Sequence, residues 1–149
     1  MALLLDPLNE EIADWGIWAL TMTNQLDEAI VWGEEKIRLH PNNPYPMLGV
    51  SIAYYLHGDV EKSLLWANKG VELSQRAPLA LVILAQVYAV SGESLKALNL
   101  IDEANAQGAY TCPYETAVVH GMLGNDNAMF EQLNLAIDYQ SNCLIFTKH

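Results

Sequence analysis

Histidines and cysteines are the side chains of this sequence best suited to chemistry, and they stand apart from one another. His57 precedes a glycine at a predicted turn, and His120 takes a position where a packed aromatic residue is expected. A general base or nucleophile needs a partner group within reach, so a solitary histidine here is typical of a packed side chain. The sequence also contains no glycine-rich phosphate loop, no His-x-x-x-His pair and no nucleophile elbow. We therefore expect no catalytic residues, no bound metal and no cofactor.

The composition narrows the classes of partner. The chain has 149 residues, 52% of them apolar and 17% charged, which predicts a folded core rather than disorder. Seven Lys and Arg against 18 Asp and Glu give a net charge of −11. That sign opposes binding to nucleic acid or to an anionic membrane surface. No run approaches the roughly 20 apolar residues that a membrane-spanning helix needs, and Met1 begins no signal-peptide pattern.

A period of 34 residues orders the chain. A shift of 34 aligns Tyr54 with Tyr88, Gly58 with Gly92, Trp32 with Trp66, Pro44 with Pro78, and Ala29 with Ser63 and Ala97. Pro lacks an N–H that the first helical turn leaves unused, so the proline column predicts helix starts. The glycine column predicts left-handed helix ends, and Asn24 stands in it because Asn is the usual substitute. The column of small residues (Ala29, Ser63 and Ala97) predicts close approach of two helices. The tryptophan column predicts packing between repeats. Each period is therefore a predicted helix–turn–helix hairpin.

The repeated unit resembles the tetratricopeptide repeat (TPR). The third unit carries the motif best, with Leu84, Ala85, Tyr88, Gly92, Ala97 and Ala104 at the motif positions. The resemblance implies an all-α fold, a right-handed TPR-like superhelix (α-solenoid) of about four antiparallel helix–turn–helix hairpins. A single domain over 1–149 is expected, with repeats at approximately 10–43, 44–77, 78–109 and 110–141. Residues 1–7 would be the tail of a preceding repeat or a lead-in, and 142–149 a C-terminal extension.

The last third is similar to the ending of TPR regions in bacterial ToxR/CadC-type transcriptional regulators, adenylate cyclases and kinases. The resemblance lies in Cys112-Pro-Tyr114, Met122-Leu-Gly124, Phe130-Glu-Gln-Leu133 and Cys143-Leu-Ile-Phe146. It implies a part of a larger bacterial regulatory or signalling protein, although a free-standing small TPR protein remains open. The location would be cytoplasmic, or periplasmic if the region belongs to a membrane-anchored regulator.

The two cysteines have a geometric interpretation. Cys112 begins the first helix of the last unit and Cys143 follows its second helix, so an antiparallel hairpin brings them to the same end. A disulfide between Cys112 and Cys143 is one state, suited to the periplasm. Buried or free thiols are the commoner state and are the one that we expect.

In TPR proteins the first helix of each hairpin lines a concave groove that binds partners. Carried over position by position, the motif predicts groove residues Trp18, Met22, Tyr45, Leu48, Ile52, Tyr55, Val82, Gln86, Tyr114 and Val118. This set is apolar and lacks the Lys, Arg and Asn side chains that grip a peptide carboxylate. We expect a non-catalytic protein–protein interaction module that binds an apolar helix or peptide. The alternative is a structural homo-oligomerisation module whose same apolar face pairs in a homodimer. A third possible cover is the remainder of the chain, either residues 144–146 or neighbouring repeats outside this sequence.

Overall fold

The helices follow the predicted period of 34 residues through the third hairpin, and the turn glycine of the fourth, Gly124, comes 32 residues after Gly92. The computed structural model describes residues 10–109 and 111–139. Within these ranges the helices are α1 (Glu10–Met22), α2 (Leu26–Leu39), α3 (Pro44–His57), α4 (Val60–Leu73), α5 (Pro78–Val90), α6 (Ser94–Ala106), α7 (Pro113–Met122) and α8 (Asp126–Asp138). Pro44, Pro78 and Pro113 each occupy the first turn of a helix, as expected of a residue without an N–H.

The helices pack as hairpins in two compact units, Met1–Gln75 and Arg76–His149. In the first unit α1 packs on α2 and α3 packs on α4. In the second unit the hairpins are α5–α6 and α7–α8. Within each unit the first helices of the two hairpins also lie side by side, α1 against α3 and α5 against α7.

The turn inside each described hairpin has one geometry. An N–H donates to the carbonyl five residues earlier at 2.9 Å in every case: Gln25 to Leu20, Asp59 to Tyr54, Glu93 to Tyr88, and Asn125 to His120. The residue before each donor has a positive φ, and it is Asn24 in the first turn and glycine in the other three. These bonds satisfy carbonyls at the helix end that have no partner within the helix. The glycine and asparagine column is thereby confirmed.

A contact between a lysine and an aromatic ring recurs with the same period. Lys62 Nζ lies 5.0 Å from the centroid of the Tyr54 ring, and Lys96 Nζ lies 5.2 Å from that of Tyr88. Each lysine also reaches a carboxylate three residues earlier, Asp59 at 3.5 Å and Glu93 at 3.2 Å. In both hairpins the first turn of the second helix is therefore fastened to the last turn of the first helix.

Small residues set the spacing of the two helices in a hairpin. Ala29, Ser63 and Ala97 are fully buried, and the Ser63 hydroxyl donates to the Ser51 carbonyl at 2.7 Å. The fourth hairpin has Met129 at this position instead. A Cβ built on Gly121 would lie 3.0 Å from the Met129 sulfur, so the small residue has moved to the facing helix.

The core of the first unit joins its two hairpins. Ile37 of α2 clusters with Met47, Val50 and Tyr54 of α3. The Tyr54 hydroxyl donates to Glu34 Oε1 of α2 at 2.6 Å. Burial, and then this hydrogen bond, raise the pKa of Tyr54 above its ordinary value.

The two tryptophans of the repeat column pack differently. Trp66 of α4 packs on the core cluster of the first unit, which contains Ile37 of the preceding hairpin and three residues of its own hairpin. Trp32 instead covers Gly16 of its own hairpin, where a built Cβ would lie 2.5 Å from the ring. Gly16 leaves room for the Trp32 indole inside the hairpin, and packing of Trp32 between repeats stays a prediction.

Candidate interaction surfaces

Helix α1 carries apolar side chains on a face that the hairpin does not cover. Trp15 is 53% exposed and Met22 is 39% exposed, while Trp18 between them is half-buried. Spacings of three and four residues place these side chains on one side of the helix. Ile17 and Thr21 are buried on another side, so α1 has a packed face and a separate apolar outer face.

Helix α3 extends this apolar surface. A Cβ built on Gly49 would lie 3.5 Å from Trp18 Nε1, so the Trp18 indole lies over α3 at Gly49. Tyr45 lies one turn earlier on the same side of α3 and is 55% exposed. We call the surface formed by Trp15, Trp18, Met22 and Tyr45 the α1–α3 face. Three of its four residues were predicted from the repeat motif.

Two residues predicted for the groove on α3 are core residues instead. Leu48 is buried and points at α4, because a Cβ built on Gly70 would lie 2.6 Å from Leu48 Cδ2. Gly70 leaves a space that the Leu48 side chain fills. Ile52 is also buried, so neither residue can line an open surface.

The two residues predicted on α5 are buried as well. Every residue from Ala80 to Val87 is buried, including Val82 and Gln86. The Gln86 amide donates to Glu115 Oε2 of α7 at 2.5 Å and lies 3.4 Å from the Glu115 carbonyl oxygen. Burial raises the pKa of the Glu115 carboxyl, and the Gln86 bond partly opposes that rise. Gln86 therefore links two helices of the second unit rather than facing a partner.

The remaining predicted groove residues, Tyr55, Tyr114 and Val118, are half-buried. Burial raises the pKa of Tyr114, and the neighbouring Glu115 adds to the rise. Their role in binding stays a prediction.

The described residues hold no group of three His, Cys, Asp or Glu side chains that could bind a metal ion. His120 is partly buried, as expected of a packed histidine, and its Nδ1 has no hydrogen-bond partner among the described residues. His57 Nε2 lies 3.1 Å from Asp27 Oδ1 at an exposed position. Among the same residues, no helix is both long enough and apolar enough to cross a membrane.

Cys112 is buried at the start of α7, and its sulfur is not a free thiol in the structure. Cys143 lies outside the described residues, as do the C-terminal extension and the lead-in 1–7. The expectation of a free thiol is therefore wrong at Cys112, and its pairing with Cys143 stays the alternative given by the sequence.

Two features were missed from the sequence although each left a signal. Trp15, Trp18 and Met22 follow helical spacing, which could have added Trp15 to the predicted surface. Glu115 is the single charged residue of Pro113–Met122 apart from the ionisable His120. A lone carboxylate in an apolar helix indicates a buried hydrogen bond.

The comparison with solved structures decides the fold. The chain matches the crystal structure of a tetratricopeptide repeat protein from Parabacteroides merdae with a TM-score of 0.55 and 18% identity over 97% of this chain. The chain has the tetratricopeptide repeat fold. The predicted all-α TPR-like architecture is thereby confirmed. This chain spans 59% of the length of that TPR protein, and neither a protein-family model nor a curated protein sequence matches it.

Proposed function

We propose that this TPR-fold chain is a non-catalytic protein-interaction module that binds an apolar helix or peptide on the α1–α3 face. The observation that carries the proposal is the shared exposure of Trp15, Met22 and Tyr45 on two helices that pack on each other through other residues. Clustered aromatic side chains are the usual anchors of protein interfaces, because they bury a large area at a low cost in side-chain entropy. The TPR fold of the matched protein supports the same class of function.

The chemistry of the face favours apolar partner side chains. None of its four residues is charged, so a peptide carboxylate would find no counter-ion in it. An amphipathic helix or an extended segment with aliphatic side chains suits such a surface. We propose further that the module works within a larger bacterial regulatory or signalling protein, on the strength of the resemblance of its last third to such proteins.

Selection of peptides tests the binding site while the natural partner is still unidentified. Displayed helical peptides would be selected on the full chain, and the affinity of the best binder measured by fluorescence anisotropy. Trp18→Ala and Tyr45→Ser should each weaken binding by about tenfold, the loss of roughly 1.4 kcal/mol expected of an interface anchor. Val31→Ser is the matched control, since Val31 is also exposed but lies on α2 outside the α1–α3 face.

Two outcomes oppose the proposal. Selected peptides that bind Trp18→Ala and Tyr45→Ser at wild-type affinity would place the site elsewhere. A wild-type chain that sediments as a dimer, and becomes monomeric in both variants, would assign the face to a homodimer instead.

A further inference from the structure

Helix α8 has an apolar outer face. Phe130 is 59% exposed and Ile137 is 62% exposed, two helical turns apart, with half-buried Leu133 between them. The adjacent side of α8, which holds Met129 and fully buried Ala136, packs on α7. Single exposed apolar residues are ordinary, but three at i, i+3 and i+7 on one helix form a continuous stripe.

The same stripe is covered in the first hairpin. Asn24 and Gly124 hold the equivalent turn position and are 100 residues apart. The same offset matches Phe130, Leu133 and Ile137 of α8 with Ile30, Gly33 and Ile37 of α2. Those three positions of α2 lie beneath α3, in contact with its cluster of Met47, Val50 and Tyr54. The α8 stripe therefore repeats the two outer apolar positions that receive a helix in the first unit, and it carries Leu133 where Gly33 lets Val50 approach closely.

The charges beside the stripe differ from those on α2. Asp126, Glu131 and Asp138 are exposed on α8, and none forms an ion pair with a described residue. The sequence contains no Lys or Arg between Lys96 and Lys148. By contrast, Arg38 of α2 stands at the position of Asp138 and lies 3.7 Å from Glu35. The α8 face thus combines an apolar stripe with unpaired negative charge.

We infer that α8 is a second interaction surface, which receives an amphipathic helix of another polypeptide with basic flanks. The apolar side chains of that helix would be spaced i, i+3 and i+7, as Met47, Val50 and Tyr54 are in α3. Its Lys or Arg residues would lie against Glu131 and Asp138. A second copy of this chain fits poorly, because self-pairing through α8 sets three carboxylates against three others.

Two matched probes test the inference. A stapled synthetic helix carries Leu at i, i+3 and i+7 with Lys at the flanking positions, and its control carries Glu in place of Lys. Both are titrated with the full chain by fluorescence anisotropy. The Lys probe should bind at least about tenfold more tightly than the Glu probe, and its affinity should fall as salt rises.

Variants separate this surface from general attraction to an acidic protein. Phe130→Asn and Ile137→Asn should each weaken the Lys probe by about tenfold, whereas Leu95→Asn, on another exposed helix surface, should not. Glu131→Gln should reduce the salt dependence, and Asp102→Asn should leave it unchanged. All replaced side chains except Glu131 and Asp102 are exposed apolar groups, and circular dichroism checks that helical content is kept.

The outcomes decide between the possible occupants. Equal binding of both probes, or full affinity in Phe130→Asn and Ile137→Asn, overturns the inference. Absence of binding to the wild-type chain also overturns it, since the face is then already covered. A wild-type dimer that Ile137→Asn dissociates assigns the face to a second copy. Trp18→Ala should leave the Lys probe unaffected, so failure here and failure of the α1–α3 face are distinguishable.

Discussion

The hydrogen bond between Tyr54 and Glu34 is predicted to join the first two hairpins with measurable energy. Tyr54→Phe removes only the hydroxyl that donates to Glu34 Oε1 at 2.6 Å. Hydrogen bonds to charged groups contribute about 1.5–3 kcal/mol. Glu34 is exposed and can be rehydrated once it loses the bond, so we expect a loss at the low end, about 1.5 kcal/mol.

Tyr88 provides a matched control in the second unit. It holds the same repeat position, and a lysine lies above its ring at nearly the same distance. Its hydroxyl donates no hydrogen bond to a described residue, so Tyr88→Phe should change stability by no more than about 0.5 kcal/mol. The difference between the two variants isolates the hydroxyl bond, since the cation–ring contact is common to both.

Urea unfolding followed by circular dichroism measures both losses, with unchanged m-values as the condition for comparing them. A double-mutant cycle with Glu34→Ala should give a coupling energy of about 1 kcal/mol. Equal losses for Tyr54→Phe and Tyr88→Phe, or a coupling energy near zero, would refute the reasoning that this bond joins the hairpins.

Three further changes have defined expectations. Gly58→Ala should lower the free energy of unfolding by about 1 kcal/mol, because φ at Gly58 is +97°. Gly58→Asn, which copies Asn24, should lose less stability. Thermal unfolding compares the two variants, and equal losses would contradict the turn argument. Gly70→Ala should destabilise the first unit, because the new Cβ would lie 2.6 Å from the buried Leu48 side chain. Overpacking of this kind costs about 1–3 kcal/mol, whereas the gain in helix propensity is about 1 kcal/mol. A variant more stable than wild type would disprove the crowding. Glu115→Gln should stabilise the chain increasingly as pH rises above about 4. Burial raises the pKa of Glu115 in the folded state, so ionisation of its carboxyl costs folding stability at higher pH. Urea titrations in which the difference between variant and wild type stays constant from about pH 4 to 7 would contradict this expectation.

The hairpins and their turns could be predicted because each depends on local chemistry. Gly58, Gly92 and Asn24 specify left-handed helix ends through their own backbone freedom, and Pro44 specifies a helix start through its missing N–H. These effects do not depend on neighbouring helices. The turn geometry therefore agrees with the sequence columns in every described hairpin.

The groove residues were harder to predict because exposure depends on what a neighbouring side chain leaves open. Leu48 is buried since Gly70 makes room for it, a relation between residues 22 positions apart that no single-helix pattern contains. For Val82 and Gln86 the sequence does contain a pattern that predicts burial. Pro78–Val90 is apolar on all sides, and such a helix is typically buried all round. The motif positions alone pointed to an open face.

In the fourth hairpin the small residue (Gly121) lies on the first helix and the large one (Met129) on the second, which affects how repeats of this chain can be recombined. Met129 lies on α8 and Gly121 on α7, so the packing of each of these two helices depends on the residue that the other carries. Joining α8 to a copy of α5 would place Ala89 at the position of Gly121, where an added Cβ lies 3.0 Å from the Met129 sulfur, so the thioether would have to shift. A whole fourth hairpin can therefore be duplicated or transplanted with this contact intact, whereas exchange of α7 alone requires the Met129 side chain to repack.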